Sequence, residues 1–191
     1  MSNRAVFLDR DGVINRAPVR DNRPLAPANL GEIEILSGVP EALRDLKAAG
    51  FHLIVVSNQP DVARGTLERT TVEGINARLL ADLPLDDIRV CYHDNGDGCE
   101  CRKPKPGLIT SAAADRNIVL SSSFLVGDRW RDIDAGRRAG CKTFYIDYGY
   151  SERQPEGWDY RVKSLAEAAE IILSLPIVQA RETIARNEQD V

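Results

Sequence analysis

Positive charge, aromatic residues and long apolar runs are all in short supply in this chain of 191 residues. Lysine and arginine number 25 against 29 aspartates and glutamates, a formal net charge of −4. That balance gives no general attraction for nucleic acid or for anionic membrane. Aromatic residues make up only 6% of the chain, and there is no basic stripe with interleaved aromatics, which argues against nucleic-acid recognition through the arginines. No uninterrupted apolar stretch approaches the roughly 18 residues that suggest a membrane span. The N-terminus lacks a basic segment followed by an apolar run, so no signal peptide is expected, and the cytoplasm is the expected compartment. Internal repeats and low-complexity linkers are also missing. The four cysteines are not spread like a disulfide framework: three of them crowd between positions 91 and 101, and such crowding points to metal.

What is present is ordinary for a soluble enzyme, 43% hydrophobic and 28% charged. The length suits one full core without a second large domain. Residues 1–175 are expected as a single domain and 176–191 as a C-terminal extension, with Ala180–Val191 polar enough to fray or to extend a helix. A monomer is expected, because no exposed apolar pattern is left over.

Short apolar strands alternate with amphipathic helices. Strands are expected at Ala5–Leu8, Leu53–Val56, Ile88–Tyr92, Phe124–Gly127 and Thr143–Ile146. Helices are expected at Val39–Ala49, stopped by Gly50, and at Thr66–Ala81, Pro106–Arg116, Arg131–Ala139 and Ser164–Leu173. The last begins with a capping serine and has Glu167 at the capping-box position. This alternation predicts an α/β fold, a mostly parallel sheet covered by helices on both faces. Ligands of such sheets bind beyond the carboxyl ends of the strands, near a switch in strand order. Asp9, Ser57, His93 and Asp128 all follow strand ends.

The run FLDRDGVIN, Phe7 to Asn15, ends a strand in Asp9, adds a second carboxylate at Asp11, and has Gly12 for a tight turn. Two carboxylates so close repel each other unless a cation or proton intervenes, and the pair invites Mg²⁺; alone, the pattern is equally a solvated turn. Ser57, Asn58 and Gln59 could hold phosphate oxygens through hydroxyl, amide and backbone N–H groups, although a serine there could also cap a helix. Lys103, in CRKPKPG, can bring a positive charge to the same phosphoryl group or sit solvated on the surface. The run GDRWRD supplies Asp128 as a third metal ligand and Asp132, one turn on, to orient lysines or waters.

Together these residues resemble the haloacid dehalogenase superfamily of aspartyl phosphatases: Asp9-x-Asp11, Ser57, Lys103 and the GDxxxD of Asp128 and Asp132. The resemblance covers most of the chain and implies a Rossmann-like core and a two-step reaction. Asp9 would attack phosphorus to form an aspartyl phosphate. Asp11 would protonate the leaving alkoxide, then deprotonate the incoming water. Mg²⁺ would be bound by Asp9, Asp128 and the backbone carbonyl of Asp11, and with Lys103 and Ser57 would neutralise the transferring group.

Cys91-x-His93, five residues, then Cys99-x-Cys101 offers three thiolates and one imidazole. That set matches the tetrahedral preference of Zn²⁺ and is closed, hence structural; free thiols or a redox pair are alternatives that leave His93 unexplained. His52 is expected to be packed or half-exposed, and Cys141 to lie in the core. A zinc loop directly before CRKP is similar to the branch that contains heptose bisphosphate and histidinol-phosphate phosphatases, both capless. No long insertion follows Asp11 or Ser57, in agreement with a capless form. SNQPDVARG, Ser57 to Gly65, resembles the heptose branch, whereas Arg129 and Pro60-Asp61 depart from its usual residues. Arg64, Arg102, Lys105, Arg129 and Arg20 in site-forming segments suit a substrate with a second phosphate, unless they make only surface salt bridges. The resemblance then implies removal of the C7 phosphate of a heptose 1,7-bisphosphate, in the supply of heptose for bacterial surface polysaccharide. Histidinol phosphate, another small phosphosugar and a non-catalytic zinc-stabilised binding module are the competing readings. A phosphotransferase would need a cap to exclude water, and none is expected.

Overall fold

A computed structural model describes residues 3–20 and 22–176. The expected C-terminal extension lies, from residue 177 onward, outside them. Six strands form one sheet in the order β5-β4-β1-β6-β7-β8: β1 Ala5–Leu8, β4 His52–Asn58, β5 Asp87–Cys91, β6 Phe124–Gly127, β7 Lys142–Ile146 and β8 Tyr160–Val162. Every neighbouring pair in this sheet is parallel. A two-stranded antiparallel hairpin, β2 Val19–Arg20 with β3 Arg23–Pro24, stands apart from it.

β1 and β6 are buried along their whole length, as expected of central strands covered on both faces. Because side chains alternate across a strand, Val6 and Leu8 face one core while Ala5 and Phe7 face the other. The first core packs against α1 (Val39–Ala48), α3 (Arg69–Asp82) and α6 (Leu165–Ser174), the second against α4 (Gly107–Arg116) and α5 (Trp130–Ala139). A short helix, α2 (Pro60–Ala63), follows β4 directly. Several of the few aromatics are concentrated in the first core. Phe124 lies edge-on to Phe51 at 5.8 Å and to Phe144 at 6.0 Å, and Phe144 stacks on Tyr160 at 4.6 Å. Gly136 of α5 lets this helix lie close to the sheet, because a Cβ there would come within 2.7 Å of Thr143 and 3.0 Å of Leu125.

The chain runs from β1 outward through β4 to β5, then crosses to β6 and continues to β7 and β8. The switch in direction therefore falls between β1 and β6, and Asp9 and Asp128 are the residues that leave the carboxyl ends of those two strands.

The observed elements follow the expected ones, most boundaries moving by a residue or so, and the unexpected α2 adds a turn after β4. β4 extends to Asn58, so Ser57 and Asn58 are the last residues of the strand, paired to Val90 and Cys91, and not the start of a loop. The helix expected from Thr66 begins at Arg69; the amides of Thr66 and Leu67 bond back to the Asp61 carbonyl and hold those residues in a turn. β8 and the hairpin between Asp11 and α1 carry too few residues for a clear alternation. Ser164 caps α6 as expected, its hydroxyl accepting from the Glu167 amide, while the Glu167 carboxylate accepts from Lys163.

Candidate active site

Lys103 has crossed from the loop after β5 into the protein, where only 2% of its surface is exposed. An ammonium has three N–H donors, and the three bonds here end on Asp9 Oδ1 at 2.7 Å, the Val56 carbonyl at 2.6 Å and Asp132 Oδ1 at 2.6 Å. Burial opposes the Lys103 charge, but Asp132 and Asp9 outweigh it and raise its pKa. Asn58 fixes the lysine backbone: its amide donates to the Lys103 carbonyl at 2.9 Å and accepts from the Lys103 N–H at 3.1 Å. Asp132 accepts from the Arg129 backbone through its other oxygen at 3.0 Å.

Asp128 is in a different position. It is 1% exposed, and neither carboxylate oxygen has a well-formed hydrogen bond, although the Tyr150 hydroxyl is close enough to favour its charged form. Buried carboxylates without partners are costly. Burial, together with Asp9 and Asp132, raises the Asp128 pKa well above the carboxylate range. Asp9 is pushed up to about 6 by burial, although Lys103 pulls it down. Oxygen atoms of Asp9, Asp128 and Asp132 lie within 4.8 Å of one another. Three carboxylates around one ammonium leave a net charge of −2, which a divalent cation with oxygen ligands would balance. The residues therefore fit Mg²⁺. Gly12 closes this cluster, with φ at +94° and its Cα so near Asp128 that a Cβ would fall 2.1 Å from Oδ2.

Asp9, Lys103 and Asp132 form the floor of a cleft of about 300 Å³, which is also lined by Asp11, Ser57, Asn58, Gln59, Arg64 and Arg129. Ser57 Oγ accepts from the Gln59 amide at 2.9 Å, and the same amide donates to Asp11 Oδ2 at 2.8 Å.

A second cluster lies beyond β5. The Sγ atom of Cys91 is 3.7 Å from that of Cys99 and 3.2 Å from that of Cys101, and His93 Nδ1 is 3.6 Å from Cys91 Sγ and 3.3 Å from Cys101 Sγ. A tetrahedral site with Zn–S bonds of about 2.3 Å has sulfur atoms about 3.8 Å apart, and all four donor atoms lie within 4.8 Å of one another. No disulfide links them. Burial pushes the Cys91 thiol up to about 12, so its thiolate forms here with a cation to stabilise it. The four residues fit Zn²⁺. Cys141, apart from them, is in the core.

The HAD-hydrolase-like family model matches residues 100–168. The D-glycero-β-D-manno-heptose-1,7-bisphosphate 7-phosphatase of Helicobacter pylori strain J99 is 35% identical over 174 residues, 87% of this chain and 95% of the relative. The enzyme of that name from Pasteurella multocida is 34% identical, covering 90% of this chain and 98% of its own. The chain belongs to the haloacid dehalogenase superfamily. It is a phosphatase of that superfamily, a phosphoric monoester hydrolase. Among solved structures, D,D-heptose 1,7-bisphosphate phosphatase from B. bronchiseptica, complexed with magnesium and phosphate, superposes with a TM-score of 0.76. It shares 31% identity, and the match covers 89% of this chain and 98% of that one. Phosphatases of the superfamily use Mg²⁺.

Within this haloacid dehalogenase core the arginines divide. Arg129 lines the cleft and is gripped by Glu152 through Nε at 2.8 Å and Nη2 at 2.6 Å. Arg64 lines it and bonds to Asp94 at 2.9 and 2.6 Å. Arg102, expected beside them, is not in the lining; it donates to Asn95 at 3.0 Å and to the His93 carbonyl at 3.1 Å and so braces the cysteine loop. Lys105 likewise bonds to Cys99 and Glu100, and Arg20 is exposed on the hairpin. Arg131 lines the cleft and was missed by sequence reasoning. The signal for it was the second arginine of GDRWRD, two residues after Arg129. Burial and then the neighbouring positive charges of Arg129 and Arg102 lower its pKa, as Glu152 works against them. Pro24, which ends β3, and Leu25 and Ala26 after it add an apolar wall to the cleft. That wall comes from a segment with too little sequence pattern to stand out.

The Gly12 contact gives a direct test. Gly12→Ala places a methyl group on Asp128 and strains a positive φ, and should cost about 2 kcal/mol or more of stability in urea unfolding. Displacing Asp128 should lower kcat by roughly 100-fold, whereas Gly65→Ala, with open space around its Cα, should leave kcat within about twofold and show only the strain cost.

Proposed function

We propose that this phosphatase removes the C7 phosphate of D-glycero-D-manno-heptose 1,7-bisphosphate through an aspartyl phosphate on Asp9. The observation that carries the reading is a carboxylate held at 2.7 Å from a buried lysine on the floor of a cleft whose rim bears Arg64, Arg129 and Arg131. One phosphate sits against Asp9 and Lys103, and a second phosphate on the same small sugar is within the class of ligands that rim arginines favour. The names of the relatives support the same substrate.

In the reaction, an Asp9 oxygen attacks phosphorus as the bond to the sugar oxygen breaks, and the Asp11 carboxyl supplies the proton that the sugar oxygen takes up. Water then attacks the phosphorus of the aspartyl phosphate, giving its proton to Asp11, and phosphate leaves. Lys103, already bonded to Asp9, stays next to the transferring group and balances its charge. Ser57 and the backbone N–H groups at the end of β4 are its neutral donors, while the Asn58 and Gln59 side chains hold Lys103 and Asp11 in place. Asp9, Asp128 and the Asp11 carbonyl would hold Mg²⁺, which when bound screens the phosphoryl charge from the attacking carboxylate. Cys91, His93, Cys99 and Cys101 would hold a structural Zn²⁺, and with Arg102 they anchor the loop that delivers Lys103, two residues after Cys101. All of these residues come from one chain, so a monomer suffices.

The test is phosphate release with Mg²⁺ from both anomers of the heptose bisphosphate, histidinol phosphate and fructose 1,6-bisphosphate. A kcat/KM at least about tenfold higher for one heptose anomer is expected, the contribution of roughly one well-placed contact. A preference for histidinol phosphate would overturn the substrate reading and leave the chemistry standing. Asp9→Asn should lose at least about 10³-fold in kcat with a native melting transition; full activity would exclude the covalent route.

For zinc, elemental analysis of the wild type should find one ion per chain. Cys99→Ser should lose most of it, and the melting temperature should fall by about 5 °C or more, since binding free energy is folding free energy. A stable variant with a full zinc content would show that the ligand set is wrong.

A further inference from the structure

Arg10 lies between the two aspartates of the first motif, and none of its surface is exposed. Its Nε donates to Asp11 Oδ1 at 3.1 Å and its Nη2 to Asp11 Oδ2 at 3.0 Å. Such a two-pronged contact fixes the plane of a carboxylate as well as its position. The third prong, Nη1, donates to Oδ1 of Asn76 at 2.9 Å. Asn76 belongs to α3, is itself 8% exposed, and so ties the guanidinium to a helix packed on the sheet. Two neutral amides complete the arrangement: Asn15 Nδ2 reaches Asp11 Oδ1 at 2.9 Å and Gln59 Nε2 reaches Oδ2 at 2.8 Å. Asp11 thus has two N–H donors on each oxygen while still facing the cleft.

Packing alone gives no reason for this design. A guanidinium without exposed surface is costly, and an apolar side chain of similar volume fills such a space more cheaply. Among the described residues its salt-bridge partner is Asp11 alone. The buried charge is therefore committed to one carboxyl group, the one that exchanges protons with the sugar oxygen and with water.

We propose that Arg10, braced by Asn76, is a positioning residue that aims the Asp11 carboxyl at the departing sugar oxygen and then at the attacking water. The inference rests on the acid–base reading of Asp11 given above. As the phosphorus–oxygen bond to the sugar breaks, the Asp11 proton passes to that oxygen, and the carboxylate left behind is held by the Arg10 fork in the orientation from which it next takes a proton from water. Asn15 and Gln59, being neutral and monodentate, are the contacts that exchange during these transfers, while the fork keeps the carboxyl in register.

Leaving-group dependence separates aiming of a proton from general structural support. A sugar alkoxide needs a proton to leave, whereas p-nitrophenolate leaves without one. Single-turnover release of the leaving group is measured with heptose 1,7-bisphosphate and with p-nitrophenyl phosphate for the wild type, Asp11→Asn, Asn76→Ala, Asn76→Asp and Arg10→Lys. Asn76→Ala and Arg10→Lys are expected to lose at least about tenfold more on the sugar phosphate than on the nitrophenyl ester, a part of the range that general acids contribute. Asn76→Asp, which keeps an acceptor for Arg10, is expected to restore the sugar-phosphate rate to within about threefold of wild type. Equal losses on the two substrates for Asn76→Ala and Arg10→Lys, with a selective loss in Asp11→Asn, overturn the positioning role and leave the acid intact. Equal losses in Asp11→Asn as well remove the acid reading and this inference with it. Should Asn76→Ala fail to fold, Arg10→Lys, which keeps the buried charge and lacks the fork, decides the matter.

Discussion

At the carboxyl end of the sheet, Lys103 has all three of its N–H donors engaged, on Asp9, Asp132 and the Val56 carbonyl, and Asp128 beside them has no well-formed hydrogen bond. The rest of the site depends on that imbalance. An ammonium cannot serve three buried carboxylates, and burial therefore raises both Asp9 and Asp128 above the ordinary carboxylate range. In the proposed reaction Asp9 attacks phosphorus as a carboxylate, so the charge that keeps it ionised must come from a cation held beside it. A divalent ion with hard oxygen ligands removes the deficit of two charges and turns an unfavourable cluster into a working one. The superfamily's use of Mg²⁺ follows here from the charge balance of the side chains.

Much of the fold can be understood as holding that imbalance in place. Adjacent parallel strands β1 and β6 end side by side at the switch in strand order and bring Asp9 and Asp128 together. Gly12 and Gly127 leave the room that those carboxylates and Asp132 occupy, since a Cβ at Gly127 would lie 2.2 Å from the Asp132 Cβ. Asn58, at the end of β4, fixes the Lys103 backbone on one side, and the cysteine cluster fixes it on the other. A zinc ion held by that cluster would thus have a catalytic consequence without touching the phosphate, because the loop it closes determines where the lysine enters. Stability and chemistry meet at Lys103.

Sequence reading captured those features that depend on a short stretch of chain. β1 and β6 were legible to the residue because each is a fully apolar run that ends abruptly in charge. The four cluster residues of the cysteine loop, Asp9, Asp128, Asp132 and Lys103 were legible because each occupies a motif at a strand end. What escaped depends on distant partners. Arg10 looks like a solvated charge between two aspartates, and only the approach of α3 with Asn76 shows that it is buried. Asn58 and Gln59 were expected to reach toward phosphate, yet their amides are taken up by Lys103 and by Asp11 and Ser57. Arg102 was grouped with the substrate cations because it lies in a site-forming segment, but successive side chains in that turn point apart, one into the core and one onto the cysteine loop. The hairpin wall has no sequence signal, since two-residue strands show no alternation.

Calorimetric titration of Mg²⁺ into the wild type and into Asp128→Ala shows whether the Asp128 carboxylate completes a Mg²⁺ site with Asp9. One site per chain is expected in the wild type, and in the variant an affinity lower by more than about 100-fold, beyond the losses of roughly 10–100-fold usual for groups outside the ligand shell. The melting temperature without metal is expected to be no lower in Asp128→Ala, because a buried carboxylate poorly served by donors has been removed. Unchanged Mg²⁺ affinity in Asp128→Ala would show that Asp128 is not a ligand.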